Sequence, residues 1–168
     1  MEFRNLEKND YNKGYLDLLA QLTEVNKENI TFEKFSNFIK NLDENHKIVV
    51  IIHKDKIVAS GTLFIENKII HGISKVGHIE DIVVDTESRG LGLGKKIVNH
   101  MTNLAKENNC YKVILNCKEE NCGFYQKCGY IRKETEMVQY FEESKTIDIS
   151  NLECNLNNIT NDDIKKFN

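Results

Sequence analysis

Along the chain the apolar positions first recur with the period of helices and then with the texture of strands. After a short leading strand, Tyr15, Leu18, Leu19 and Leu22 keep the three-and-four spacing of one helix face, and Phe32, Phe35, Ile39 and Leu42 repeat it. Thr31 stands where an N-cap hydroxyl accepts from an amide that the first turn leaves unpaired, and Asp43-Glu44-Asn45 ends that helix. Residues 47–53 and 56–66, rich in Val and Ile and parted by Lys54-Asp55, predict a hairpin; Asn67-Lys68 predicts the turn after it. Residues 76–85 predict a further strand, apolar enough at Ile82-Val83-Val84 to be buried on both faces. Gly90 opens a helix with the stripe Ile97, Met101, Leu104 and Ala105. A buried strand over 111–117, a short helix over 121–127 closed by Gly129, and a last strand over 130–141 complete the pattern.

Helices, three strands, helix, strand, helix, strand predict an α/β fold: a mixed, twisted central sheet, part antiparallel and part parallel, with helices on both faces. The 168 residues suffice for one domain with a real core. That domain is expected over residues 1–141. Residues 142–168 are polar, rich in Asn and Asp and poor in apolar anchors, and are expected to form a C-terminal extension with one weak helix over 161–167.

Charge and composition narrow the function. A net charge of −3 without a basic stripe argues against nucleic acid, since phosphate neutralisation needs clustered Lys and Arg. Apolar runs such as Ile48–Ile52 are too short to span a bilayer, so no membrane partner is expected. The amino terminus lacks the apolar core of a signal peptide, and a cytoplasmic protein is expected. Cys110, Cys117, Cys122, Cys128 and Cys154 are odd in number and form no C-x-x-C pair, which suits reduced thiols better than disulfides or zinc. The five histidines show no ligand spacing either, so no metal is expected.

The candidate chemistry lies in Arg89-Gly90-Leu91-Gly92-Leu93-Gly94-Lys95, between a strand and a helix. Glycines permit positive φ and close backbone approach, and a helix start offers unpaired N–H donors with partial positive charge, which together suit a phosphate. The Walker pattern fails because Gly90 and Gly94 are one residue too close and Lys96, not Ser or Thr, follows Lys95. The dinucleotide pattern fails because its third glycine comes one position early. In the strand before the loop, Glu80 and Asp81 are two acids among apolar neighbours. Regular alternation would aim them at opposite faces rather than pair them.

Arg89-x-x-Gly92-x-Gly94 resembles the pyrophosphate motif of the GNAT acetyltransferases. Four further stretches resemble the glucosamine-6-phosphate N-acetyltransferases within that superfamily. They are Gly77-His78-Ile79-Glu80-Asp81-Ile82-Val83-Val84, Cys110-Tyr111-Lys112-Val113-Ile114-Leu115, Asn121-Cys122-Gly123-Phe124-Tyr125-Gln126-Lys127-Cys128-Gly129-Tyr130 and Lys68-Ile69-Ile70-His71; the early Leu22-Thr23 also matches. The resemblance runs from about residue 3 to residue 141. It implies direct acetyl transfer from acetyl-CoA to the amine of glucosamine 6-phosphate, feeding UDP-N-acetylglucosamine synthesis, in a homodimer.

The same resemblance implies roles for residues. Ile82, Val83 and Val84 would hold the pantetheine arm like an added strand, with an amide there polarising the thioester carbonyl. Arg89, Gly90, Leu91, Gly92, Leu93, Gly94 and Lys95 would hold the pyrophosphate, and Asn121 would touch the cofactor arm. Tyr125 would give a proton or hydrogen bond to the departing thiolate. Thr23, Lys68, Ile69, Ile70, His71, Glu80, Asp81, Tyr111 and Lys112 would contact the sugar phosphate, Glu80 and Asp81 at its hydroxyls and amine, with Asp81 counted among the catalytic residues, and Lys112 across a dimer interface. Asn116 stands where relatives carry an acid that orients or deprotonates the amine; an Asn carbonyl accepts a hydrogen bond but takes no proton. Tyr140 stands where some relatives carry a phosphate-binding Arg. Two other readings remain open: a GNAT enzyme acting on a protein or another small amine, and a weakly active acetyl-CoA-binding module.

Overall fold

Ile48, Val49, Val50 and Ile51 are all buried, and side chains of a strand alternate between its two faces, so the sheet that holds them must be covered on both sides. In the computed structural model, which describes residues 1–141, that strand is β2 (His46–His53). It lies in a five-stranded sheet ordered β1 (Glu2–Asn5), β2, β3 (Lys56–Lys68), β4 (Ser74–Val84), β5 (Cys110–Ile114). The first four strands pair antiparallel; β4 and β5 pair parallel, joined by the crossover helix α4 (Leu93–Glu107).

Each face has its own core. Leu93, Ile97, Met101 and Ala105, four residues apart along α4, pack with Val49, Ile51, Leu63, Ile65 and Ile79. The helix sits so close that a side-chain carbon added to Gly77 of β4 would stand 3.0 Å from the Ala105 Cβ. On the other face Ile48, Val50, Ile57 and Val83 meet Tyr15, Leu16 and Leu18 of α1 (Tyr15–Leu19) and Phe35 of α2 (Phe32–Lys40). Helices on both faces of a mixed sheet match the expected fold class. Among the described residues no helix is long and apolar enough to cross a membrane.

The chain entry is fixed by one buried ion pair. Asp10 is 0% exposed and accepts from Arg4 Nη1 and Nη2, each at 2.7 Å, and from the Glu7 amide at 2.8 Å. These bonds tie β1 to the 3-10 turn Lys8–Lys13 and hold the Asp10 carboxyl below its ordinary range, against the opposing effect of its burial.

Several boundaries differ from those the sequence suggests. Gly14, in the left-handed conformation, parts the 3-10 turn Lys8–Lys13 from α1, which stops at Leu19; Leu22 falls beyond it, exposed. Thr31 caps α2 as expected, its Oγ1 accepting from the Lys34 amide at 3.3 Å. Asn67 and Lys68 still belong to β3; the reversal falls in the irregular turn α3 (Ile70–Ile73), where His71, Gly72 and Ile73 all have positive φ. Of the apolar trio in β4 only Val83 is buried, Ile82 and Val84 being half-buried. β5 is shorter than expected and largely uncovered, because it is the sheet's edge.

The largest departure is the expected last strand. Residues 130–141 carry no strand pairing: a strand is stable only against a partner, and the described part of the chain offers them none. The chain divides into two units, 1–133 and 134–168, and in the second the described residues 134–141 expose Met137, Val138, Tyr140 and Phe141. The extension 142–168, its helix over 161–167 and Cys154 lie outside the described residues.

Replacing Asp10 by Ala should destabilise the protein by about 3–5 kcal/mol, because Arg4 is left beside an empty, water-poor site. Since the folded carboxyl titrates below its unfolded value, its contribution is full above the ordinary carboxylate pKa of about 3.9 and is lost as the pH falls through the lower folded one. Urea unfolding at pH 7 and pH 3 measures both effects; equal midpoints for the two proteins at pH 7 would count against the pair.

Candidate active site

The site begins where two strands part. β4 pairs with β5 only from Lys75 to His78, whose last register partner is Ile114, yet β4 runs on to Val84. Over that final stretch its other neighbour is β3, so the β5-side edge carries main-chain groups that an extended ligand can pair with as an added strand. The parting coincides with a bulge. Between the pairs Ser60–Val83 and Thr62–Glu80, β4 places Asp81 and Ile82 opposite Gly61 alone, and Asp81 takes φ 53°. A side-chain carbon on Gly61 would lie 2.5 Å from Ile82 Cδ1 and 2.7 Å from Met101 Sδ. Glycine is therefore what lets the bulge fold down beneath α4.

The free edge leads to the glycine loop. Gly90 (φ 82°) and Gly92 (φ 70°) both need the left-handed region, and no atom within 4 Å would obstruct a side chain at either. Backbone conformation, not space, requires glycine there. Gly90 lies in the turn, not in the helix it was expected to open: α4 begins at Leu93, with Gly92 as its N-cap and the Lys96 amide bonding back to the Gly92 carbonyl at 3.1 Å. The amides of the first turn have no partner within the helix.

The first turn of α4 contains no acid, while Lys95 and Lys96 are both exposed in it and Arg89 stands exposed just upstream. Cations at the positive end of a helix are unfavourable by about 0.3–1 kcal/mol each, a cost that a bound anion reverses. Leu93 buries its side chain in the core, so what it can offer a ligand is its amide. Gly94 faces α5 (Cys122–Lys127): an added carbon there would stand 3.2 Å from Phe124 Cζ. Loop and short helix thus form one wall.

Tyr125 of α5 is half-buried against the α4-side core, with Phe124 and Tyr130 rings at 5.0 and 6.2 Å. Tyr130 is itself held by a 2.6 Å bond between its hydroxyl and Thr102 of α4. Burial first, and then the nearby Cys117, Cys128, Tyr130 and Glu80, push the Tyr125 phenol up to about 12. It is protonated at neutral pH and can offer its O–H as a hydrogen-bond donor. Asn121 is exposed at the start of α5, and its side chain does not cap the helix, which leaves the amide available to a ligand. Asn116 is exposed beyond the end of β5 rather than inside the strand.

The residues expected to hold an acceptor fall into separate groups. Glu80 and Asp81 are both exposed at the bulge, where regular alternation is broken, and both influence aromatic hydroxyls: Glu80 that of Tyr125, Asp81 that of buried Tyr15. His71 stacks on Tyr111 with ring centres 4.7 Å apart, and Lys112 Nζ lies 5.6 Å from the Tyr111 ring centre. Lys112 registers with Val76, four residues before Glu80, which is about 13 Å along a strand. Lys68 is bound to Glu66 at 2.5 Å; Ile69 and Ile70 point into solvent, and Thr23 stands exposed beyond α1. Along β4 the Lys112 level, at Val76, and the Glu80–Asp81 bulge stand apart. Among the described residues no group of three His, Cys, Asp or Glu could hold a metal ion.

Two supports have little signature in the sequence. Asp85, buried at the end of β4, accepts from Gln21 Nε2 at 3.0 Å, Ser88 Oγ at 3.2 Å and Lys56 Nζ at 3.3 Å. Gln21 also accepts from the Thr86 amide at 2.9 Å, so residues beyond α1 clamp the entry to the glycine loop. Gly61 is the second. An isolated glycine inside a strand pattern is a bulge signal, and that signal alone could have found it.

The sequence model of the acetyltransferase (GNAT) family matches residues 3–130. Glucosamine 6-phosphate N-acetyltransferase of Candida albicans is 44% identical over 142 residues, covering 83% of this chain and 95% of that protein. The enzyme of the same name from Arabidopsis thaliana is 42% identical over 146 residues, covering 84% and 97%. A crystal structure of glucosamine-6-phosphate N-acetyltransferase from Arabidopsis thaliana superimposes with a TM-score of 0.80 at 41% identity, covering 84% of this chain and 98% of that one.

Gly92→Ala should keep the fold and weaken binding of coenzyme A about tenfold, the equivalent of one charge-assisted hydrogen bond lost from a displaced amide. Titration calorimetry checks it; wild-type affinity in the variant would show that the loop does not hold the pyrophosphate.

Proposed function

Because the chain belongs to the acetyltransferase (GNAT) family, we propose that it moves an acetyl group from acetyl-CoA to the amine of D-glucosamine 6-phosphate. The observation that carries the reading is the parting of β4 from β5 beside the amino end of α4; the activity for which the relatives are named supplies the acceptor. Ile82, Val83 and Val84 pair with the pantetheine arm, the Arg89–Lys95 loop holds the pyrophosphate, and Asn121 contacts the arm. No metal takes part.

Transfer is direct, in a ternary complex. The sugar's amine, in its neutral form, attacks the thioester carbonyl carbon, and a main-chain amide at the free edge stabilises the oxyanion as charge develops. The tetrahedral intermediate collapses with cleavage of the carbon–sulfur bond, and Tyr125 protonates the departing sulfur. Asn116 accepts a hydrogen bond from the amine, while Glu80 and Asp81 bind polar groups of the sugar. The amine's proton passes to solvent, because Asn116 takes none. Were Asn116 to leave the amine too poorly oriented, the chain would act instead as an acetyl-CoA-binding module, the reading that this one departure favours.

The roughly 13 Å between Lys112 and Glu80 suggests that two copies complete the acceptor site. His71, Tyr111 and Lys112 of one copy would then face the phosphate held in the other. The strongly exposed Ile69 (90%) and Ile73 (86%) beside that group support a homodimer. The free thiols of Cys110, Cys117, Cys122 and Cys128 fit a cytoplasmic enzyme, whose product would feed UDP-N-acetylglucosamine synthesis.

A coupled thiol-release assay with glucosamine 6-phosphate, glucosamine and a peptide amine tests the acceptor. Release is expected with the phosphorylated sugar, and release with peptide alone would sink the proposal. Tyr125→Phe should lower kcat about 100-fold with a smaller effect on the KM for acetyl-CoA, as loss of a general acid requires.

A further inference from the structure

We propose that Cys117 and Cys122 are a modification site, a dithiol that small-molecule disulfides convert to a Cys117–Cys122 bond, which displaces Asn121 and weakens acetyl-CoA binding. The two sulfurs lie 3.9 Å apart. Cys117 is exposed and Cys122 half-buried, so one thiol is open to a reagent and the other waits behind it. Closing the bond to about 2.0 Å asks the sulfurs to approach by roughly another 2 Å.

The intervening segment has to take up that movement. It is a single 3-10 turn, Glu119–Asn121, closed by the Asn121 amide on the Lys118 carbonyl at 2.9 Å and braced by Arg132 on Glu119 at 2.7 Å. Asn121 immediately precedes Cys122, and Cys117 is close enough to Tyr125 to influence its phenol. A bond across this turn therefore acts on the residue proposed to touch the cofactor arm. Formation of the bond does not depend on the proposed reaction; its effect on acetyl-CoA rests on the role given to Asn121.

The chemistry balances with oxidised glutathione as oxidant. The Cys117 thiol loses its proton, and its sulfur attacks one sulfur of the reagent; that S–S bond breaks and glutathione thiolate leaves. The Cys122 thiolate then attacks the Cys117 sulfur of the mixed disulfide and expels the second glutathione. Two cysteine thiols are oxidised, one disulfide is reduced, and both protons end on the released glutathiones. Burial and the neighbouring sulfur push the Cys117 thiol up, so exchange proceeds through a minor thiolate fraction.

The full chain is incubated with oxidised glutathione, then digested with trypsin without reductant. Lys112, Lys118 and Lys127 place Cys117, Cys122 and Cys128 in three different peptides, so each possible bond has its own mass. Expected are joined peptides 113–118 and 119–127, and a Kd for acetyl-CoA, by calorimetry, raised on the order of tenfold and restored by dithiothreitol. Cys122→Ser should bind acetyl-CoA normally and ignore the oxidant. A lasting glutathione adduct on Cys117, or a bond to Cys128 instead, would overturn the dithiol. Joined peptides with an unchanged Kd would overturn its coupling to the cofactor. If the reduced chain binds no acetyl-CoA, the proposed function fails, while the peptide map still decides whether the bond forms.

Discussion

Between Ser60–Val83 and Thr62–Glu80, β4 carries one residue more than β3, and the geometry of the site follows from that mismatch. β5 ends at Ile114, the partner of His78, and the bulge bends the stretch of β4 that runs on past it. Had β4 and β5 remained paired to their ends, no main-chain groups would be left for a cofactor arm, and the amino end of α4 would face a closed sheet. Gly61 makes the bulge possible, because Ile82 and Met101 fill the volume that any side chain would occupy. The opening depends on packing beneath it as much as on the strand that forms it.

Electrostatics around the opening are arranged in two layers. At the surface, Arg89, Lys95 and Lys96 crowd the positive end of a helix, an arrangement that an anion would favour. Beneath it, Asp85 is buried but accepts from Gln21, Ser88 and Lys56, and these bonds hold its carboxyl below the ordinary range. The buried acid fixes the loop's entry through neutral and charged donors, and Arg89, Lys95 and Lys96 stay exposed. Tyr125 is treated in the opposite way: burial raises its phenol, which stays protonated and can offer a hydrogen bond.

What one chain leaves open is also informative. Among the described residues β5 is the edge of the sheet, and Ile69, Ile73, Tyr111 and Ile114 are exposed. Single exposed apolar residues are ordinary, but several at one sheet edge beside an incomplete acceptor group argue for a second copy. The proposed dimer and the proposed sugar-phosphate site are thus one hypothesis: the phosphate needs a cation, and a second copy would bring its Lys112 to it.

Local features of the sequence carried well into the structure. The apolar run of β2, the Thr31 cap, the stripe of α4 and the left-handed glycines were legible, because each depends on neighbours within a turn or two of chain. The ordered motifs from Lys68 to Tyr130 pointed to the family for the same reason: a phosphate loop or strand end is written in contiguous residues. Tertiary structure decided the rest. The Asp81 bulge and the Gln21–Asp85 clamp depend on partners distant in the chain, and so would a strand over 130–141, which the described residues do not form. Alternation alone made Glu80 and Asp81 opposite-facing, and it took a mismatch with β3 to expose both. A period read along one strand says which residues share a face only while the neighbouring strand keeps the same count.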